Sequence, residues 1–254
     1  MDNVPLVKLR FIKRIQSAIF TIAAVMLSIG QWSDTKQMSI EIYEGFIASF
    51  TNEIELERLK KVKVGGNINF IEQTFGIATV IKPSQTVKNL NYRYYPDSKY
   101  ILAIAEQDNF IKGYQVISLD SSFHPVLPFS EKELGDFSYA EYDPYFDELR
   151  SDNANLTYYL ESHSLGRAGL FFNQFITYVG YGATYSDPTL NSKEIASLND
   201  SMLQNGQEQS SDMIQSLRVI IKPNVFSVGD INASTAADML VTRYEYAAYF
   251  KDEE

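Results

Sequence analysis

The sequence predicts an α+β fold with an N-terminal transmembrane helix, an amphipathic linking helix, a helix plus an antiparallel meander, and a second α+β portion. Three observations lead to this prediction. Residues 15–33 carry no charge, Gly65 and Gly76 bracket a short apolar segment, and strand-like runs separated by turn residues follow it. The predicted domains are a basic cytoplasmic tail (1–14), the transmembrane helix (15–33), the linking helix (34–64), the helix–meander domain (65–128) and the C-terminal α+β portion (129–254).

The uncharged N-terminal segment is long enough to cross a membrane. A helix over residues 15–33 rises about 28 Å, close to the roughly 30 Å thickness of the hydrocarbon layer. Ile15, Phe20 and Leu27 belong to the apolar span, and Trp32 suits the headgroup region. Four cations precede the span: Lys8, Arg10, Lys13 and Arg14. The positive-inside rule therefore predicts a single-pass protein of the cell membrane with a cytoplasmic N-terminus and an extracytoplasmic C-terminal domain.

Two other interpretations of this segment stay open. A cleaved signal peptide fits the basic start and the small residues Ser28 and Gly30, but its apolar region is usually shorter. A buried helix of a soluble protein is the second alternative.

Charge and cysteine content exclude several classes of function. The net charge is −10, and residues 1–14 carry +3 because four cations face the single acid Asp2, which leaves −13 for the rest. An acidic body argues against nucleic acid as a partner, since phosphate binding needs a basic face. The chain has no cysteine, which removes disulfides, thiol catalysis, cysteine zinc sites and a lipid-modified cysteine.

Patterning beyond the anchor predicts a helix followed by a meander. Apolar residues recur at helical spacing over residues 37–61, and Gly65 ends that helix. A second short helix stops at Gly76, and we expect Phe70, Ile71 and Phe75 to face the sheet. The predicted strands are residues 80–82, 91–95, 100–105 and 111–119.

Residues 55–120 resemble the small α+β outer-membrane assembly lipoproteins of the SmpA/OmlA, or BamE, fold. The matching residues are Leu59-Lys60-Lys61-Val62-Lys63-Val64-Gly65, Phe70-Ile71, Phe75-Gly76, Tyr92-Arg93-Tyr94-Tyr95, Tyr100-Ile101-Leu102-Ala103-Ile104-Ala105 and Phe110-Ile111-Lys112-Gly113-Tyr114. The lipidated cysteine of that family is missing here, and Ile77 stands where the family has proline. The resemblance implies a helix packed on a three-stranded meander.

The C-terminal half resembles a family of uncharacterised bacterial membrane-anchored proteins. The resemblance lies in Tyr159-Leu160-Glu161, Leu165-Gly166-Arg167-Ala168-Gly169 and Phe172. Residues 171–181 fit a strand or a buried helix, and residues 219–221 and 225–228 are strand-like. Residues 186–212 are rich in Ser, Asn and Gln and predict a polar loop around a weak helix at 193–203.

Candidate site residues lie in an aromatic and acidic run at 136–148. Aromatic rings spaced among carboxylates suit a protein partner or a basic ligand, and the predicted contact residues are Phe137, Tyr139, Tyr142 and Tyr145. The same pattern describes a segment packed on the core, which is the commoner case. The two histidines, His124 and His163, are expected to be structural, because neither lies in a recognisable catalytic or zinc motif.

The sequence thus predicts a membrane-tethered interaction or scaffold module without catalytic chemistry of its own. Its expected partners are membrane lipid through residues 15–33 and a protein, with no nucleic acid and no cofactor or metal. Two alternatives stay open: a membrane component of a bacterial envelope-stress or phage-defence system, and a hydrolase with an unrecognised site.

Overall fold

The computed structural model describes residues 52–167 and 169–250, together with residues 17, 19–22 and 24 near the N-terminus. The chain divides into two compact units, residues 1–57 and residues 58–254. In the first unit, the few described residues between 17 and 24 are helical. The second unit is built around a single large β-sheet.

The sheet has eight antiparallel strands in the order β1-β2-β3-β4-β8-β7-β6-β5. Its strands are β1 (Val80–Pro83), β2 (Asn91–Pro96), β3 (Tyr100–Gln107), β4 (Phe110–Ser118), β5 (Glu148–Asp152), β6 (Tyr158–Ser164), β7 (Asn173–Val179) and β8 (Val225–Gly229). The helices are α1 (Glu53–Leu59), α2 (Ile68–Phe75), α3 (Tyr139–Tyr142), α4 (Pro188–Asn205), α5 (Ser211–Ile220), α6 (Ala233–Asp238) and α7 (Arg243–Tyr249), with a 3-10 turn at Glu208–Ser210.

The strand order makes the sheet two four-stranded meanders joined side by side. β1 to β4 form the first meander and β5 to β8 the second, and the last strands of the two meet in the centre. There Gln115 of β4 lies opposite Ser227 of β8, and its amide donates to the Ser227 hydroxyl at 2.9 Å. The two halves therefore share one continuous sheet.

Local chemistry explains the first meander. The Asn67 side chain accepts from the amide of Asn69 at the start of α2, and Gly76 ends that helix with φ at 83°. Asp108 and Asn109 connect β3 to β4 with φ values of 53° and 67°, a conformation that these two residue types tolerate. Short turns of this kind fix the register of neighbouring strands.

Side chains that alternate along each strand place a core on both faces of the sheet. One face carries a buried apolar cluster that includes Tyr94, Ile101 and Phe175, with α6 and residues 239–241 packed on it. In β6 the residues of the opposite face are Tyr159, Glu161 and His163, all buried. That second face therefore holds polar and titratable groups as well as apolar ones.

The predicted fold class is wrong in its organisation. The predicted helix near residues 70–75 and the antiparallel strands after it are present, but they form half of one eight-stranded sheet rather than a separate unit beside a second α+β portion. The domain boundary predicted after residue 128 stays a prediction, although strands from both sides of it share the sheet. The helix 68–75 also faces differently from expectation, because Ile71 is buried whereas Phe70 is 50% exposed.

The predicted polar loop at 186–212 is mostly helical. Asp187 accepts hydrogen bonds from the amides of Thr189 and Leu190, and Pro188 occupies the first turn, so α4 begins there and continues for 18 residues. The predicted weak helix at 193–203 is therefore present but longer than expected, and its buried side is narrow, carrying Asn191, Ile195 and Leu198. Residues 219–221, predicted as strand-like, instead form the end of α5 and the residue after it.

The predicted membrane anchor is also corrected. Within the described part of the chain, no helix combines the length and apolar character needed to cross a bilayer. Among the predicted anchor residues, Phe20 is described and is 81% exposed, while the others lie outside the described residues: Lys13, Arg14, Ile15, Leu27 and Trp32. The finding contradicts the single-pass anchor and the membrane localisation that depended on it, and neither is carried further.

The linking helix predicted over 34–64 falls largely on residues outside the described part. The structure shows only its last portion, α1, which is seven residues long.

Candidate interaction site

The aromatic and acidic run at 136–148 covers one face of the second meander. Of the four predicted contact residues, Phe137 is 5% exposed and Tyr139 is fully buried, Tyr142 is half-buried, and Tyr145 is 80% exposed. The run therefore divides into a buried part that packs on the sheet and an exposed part. Tyr139 belongs to the core, since its hydroxyl donates to the Tyr159 carbonyl at 2.9 Å and its ring lies edge-on to the Tyr159 ring.

A buried ion pair fixes residues 139–147, which we name the cover segment, to the sheet. Arg218 of α5 is 1% exposed, and its Nε donates to Oε1 of the fully buried Glu161 at 2.8 Å. Tyr159 donates its hydroxyl to the same Glu161 oxygen at 2.6 Å. The guanidinium also donates to carbonyl groups of the cover segment, those of Tyr139, Asp143 and Pro144. One side chain thus ties α3, the loop after it, α5 and β6 together.

The far side of Glu161 is unsatisfied. Its Oε2 has no hydrogen-bond partner and lies 3.7 Å from Nε2 of His163, which also has none. Burial raises the pKa of the Glu161 carboxyl and lowers the pKa of His163 to about 4. The imidazole is therefore neutral at physiological pH and sits under Tyr142, whose ring meets it edge-on at 5.0 Å.

Four contacts of Lys132 hold the loop at 126–133 against the aromatic run. The ammonium of Lys132 lies 5.6 Å from the Phe137 ring centroid and 5.2 Å from that of Tyr142, and it donates to the carbonyls of Glu141 and Tyr142. Phe137 and Tyr142, which the sequence nominated for partner binding, thus bind the chain's own lysine.

Gln174 of β7 bridges the loop and the cover. Its side chain accepts from the Tyr142 hydroxyl at 2.6 Å and donates to the Pro128 carbonyl at 3.0 Å. Because Gln174 pairs with His163 in the sheet, the loop, the cover and the ends of β6 and β7 meet at one place.

Bulky apolar side chains are exposed around this place on an unusual backbone. Leu170 and Phe171, in the turn between β6 and β7, are 65% and 76% exposed with φ values of 59° and 60°. Phe129, which follows Pro128, is 56% exposed with φ at 60°. The other non-glycine residues with positive φ among those described are Asn89, Asp108 and Asn109. Asparagine and aspartate accept this conformation, whereas each bulky residue costs about 1–2 kcal/mol there.

We name Phe129, Tyr145, Leu170 and Phe171 the sheet-end cluster. Phe129 adjoins the Pro128 carbonyl that Gln174 binds, and Phe171 lies three residues before Gln174, so chain geometry limits the separation of the Phe129 and Phe171 Cα atoms to about 25 Å. The backbone of Tyr145 hydrogen-bonds to the His163 ring, and His163 is the cross-strand partner of Gln174. Buried polar contacts thus hold the segments that carry Phe129 and Tyr145.

The two histidines of the chain pack within the fold. His163 is 7% exposed and its imidazole is covered by Tyr142. His124 donates or accepts at the Leu134 carbonyl at 2.8 Å and packs against Tyr185. Within the described ranges, no three acidic or histidine side chains lie close enough to hold a metal ion.

The sequence pattern identified the run at 136–148 but not the exposed apolar residues outside it. It nominated Tyr145, which is exposed, together with Phe137 and Tyr139, which are buried. It passed over Leu170, Phe171 and Phe129, although the LGRAGLFF segment at 165–172 carries a signal: consecutive bulky apolar residues directly after glycines of a predicted turn.

Comparison with known proteins gives little guidance. No protein-family model and no curated protein matches this chain. It is similar to the structure of a cysteine-rich secretory protein from Staphylococcus aureus, at 12% identity and a TM-score of 0.32 over 65% of this chain and 44% of that one. An extracellular protein containing an SCP domain from Bacillus anthracis gives 9% identity and a TM-score of 0.34 over 69% and 46%.

This chain therefore spans less than half the length of either structure, and similarities this weak carry no argument about fold or function. The resemblance to the BamE-like lipoproteins and to the membrane-anchored family is wrong: no family model matches the chain, and the helix–meander is half of a continuous eight-stranded sheet.

Proposed function

We propose that this chain is an interaction module that binds a protein partner through the sheet-end cluster. The observation that carries the proposal is the exposure of Phe129, Leu170 and Phe171 on left-handed backbone. Strained conformations persist where the surrounding structure enforces them, and they concentrate at functional sites. Large apolar side chains that are both strained and exposed do not stabilise the free fold. We therefore infer that they serve contact with a bound partner.

The support beneath the cluster fits the same role. Binding sites lose less entropy when their contact residues are held in place before the partner arrives. Arg218 binds the carbonyl of Pro144, the residue before Tyr145. Lys132 and Gln174 hold the loop that carries Phe129. Aromatic and leucine anchors of this kind insert into apolar pockets, where single residues contribute about 2 kcal/mol or more.

Site-specific photo-crosslinking in the native host tests this proposal. A photoreactive amino acid at Phe171 should form one discrete adduct whose partner is then identified by mass spectrometry. The matched control is Tyr244, which is equally exposed at 76% but belongs to α7. We expect Leu170→Ser to abolish the Phe171 adduct and Leu203→Ser, at another exposed leucine, to leave it unchanged. An equal adduct pattern from Phe171 and Tyr244 would refute the proposal.

A further inference from the structure

His163 is enclosed by charged and titratable groups from every element packed on it. Glu161 lies beside it on β6, and Arg218 reaches the pair from α5. The cover segment above contributes Tyr142, Asp143 and Asp147, and the neutral Gln174 faces it from β7. In the closed structure this buried group contains one cation, Arg218, for one carboxylate, Glu161.

The buried group around His163 cannot accommodate a second cation as easily as it holds Arg218. A proton on His163 would give the network two cations for the single buried carboxylate, and desolvation of an imidazolium at 7% exposure is costly. β6 lies within the sheet and is paired on both sides. The cover segment, by contrast, is exposed at Pro144, Tyr145 and Asp147. Opening of that segment is therefore the least costly way to hydrate the ring.

We propose that protonation of His163 releases the cover segment at 139–147, so that acidification dismantles the sheet-end cluster. This inference rests on the proposed function only for its consequence, the loss of partner binding; the opening itself concerns this chain alone. Loss of the cover frees Tyr145 directly, and it removes the Tyr142 contacts on which Lys132 and Gln174 depend.

The sign and size of the effect follow from proton linkage. His163 has a pKa of about 4 in the closed segment, and a hydrated histidine has a pKa near 6.5. The closed state excludes the proton, so closure is fully favoured above about pH 6.5 and weakens as the pH falls toward 4. The opening equilibrium should rise about 50–100-fold between about pH 7 and pH 4.5.

Amide hydrogen exchange on the full chain measures this opening. The amide of Asp147, bonded to the Ser162 carbonyl at 2.8 Å, and the amide of Tyr142, bonded to the Ser138 carbonyl at 3.0 Å, report on the segment. After correction for the intrinsic exchange rate, both should lose about 50–100-fold protection at the lower pH. Amides of β3 should keep their protection at the lower pH. In His163→Gln, whose side chain stays neutral, protection of the cover segment should be the same at both pH values.

A second measurement keeps the proposal testable if His163→Gln does not fold. The chain has only two histidines, so NMR titration of the wild type resolves both rings, with His124 as the internal reference. Unchanged protection in the wild type, equal loss in His163→Gln, or a His163 titration without a change at Tyr142 would each overturn the proposal. If crosslinking at Phe171 fails while exchange responds as expected, only the proposed function falls.

Discussion

The two four-stranded halves of the sheet have the same strand order and different means of support. The first, β1 to β4, is a run of close hairpins whose left-handed positions carry Asn89, Asp108 and Asn109. The second, β5 to β8, is interrupted by α4 and α5 between β7 and β8, and its cover depends on Arg218, which is 57 residues from Glu161 in the sequence. Local rules explain the turns of the first half, whose strands also bond Asp238 and Met239 through Tyr92 and Tyr94, whereas the cover of the second half is fixed by a buried long-range ion pair.

The halves also differ in where they store strain. Left-handed positions of the first half are occupied by residues that accept them, whereas Leu170 and Phe171 in the second half do not. A region that depends on distant contacts can hold a conformation that its own residues disfavour. We therefore assign the proposed functional surface mainly to the second half, and matched substitutions in the two halves test that assignment.

The largest effect is expected from the arginines that serve each half. Arg218→Ala leaves Glu161 buried without its cation and leaves three backbone carbonyls without the guanidinium that donates to them. The variant should therefore lose about 3–5 kcal/mol of unfolding free energy. Arg93→Ala is the matched change in the first half, where the side chain is 19% exposed and pairs with Glu72 and Glu106. We expect about 1 kcal/mol there. Urea unfolding at neutral pH measures both, and equal losses would remove the distinction between the halves.

A second pair of substitutions separates the buried and exposed parts of the aromatic run. Tyr139→Ala removes a fully buried ring and its hydrogen bond to Tyr159 and should cost about 3–5 kcal/mol. Tyr145→Ala removes a ring that is 80% exposed and should change stability by less than about 0.5 kcal/mol. Thermal unfolding of the two variants provides the comparison. A large loss at Tyr145 would show that it packs in the core and would remove it from the sheet-end cluster.

The smallest effect has the opposite sign. Leu170→Gly and Phe171→Gly remove the strain of a left-handed backbone at a bulky residue. This gain is larger than the loss caused by the greater freedom of glycine in the unfolded chain, so each change should stabilise the fold by about 0.5–1 kcal/mol. Asn109→Gly, at φ of 67° in the first half, should change stability by less than about 0.5 kcal/mol. Leu170→Gly should also lose the partner crosslinked through position 171, as expected when strain is kept for function. Destabilisation by Phe171→Gly would mean that the ring is held by contacts within the fold.

The sequence predicted most of the first half because its determinants are close together in the chain. Gly76 ended α2, and turn residues separated strands whose apolar character follows from their burial on both faces. The sequence could not show that β4 continues into β8, because that pairing joins residues more than a hundred positions apart, such as Gln115 and Ser227. The helix–meander therefore looked like a complete unit, and the BamE-like resemblance followed from that error.

For the site, composition by itself determined that residues 136–148 form an amphipathic segment of aromatic rings and carboxylates. Only the tertiary structure decided which rings face inward, because burial of Tyr139 and exposure of Tyr145 depend on the distant partners Tyr159, Glu161 and Arg218. The same holds for Leu170 and Phe171: their apolar character is written in the sequence, but their exposure on strained backbone results from the β6–β7 pairing that closes the turn around them. A side chain's chemistry is local, whereas its solvent exposure is a property of everything packed around it.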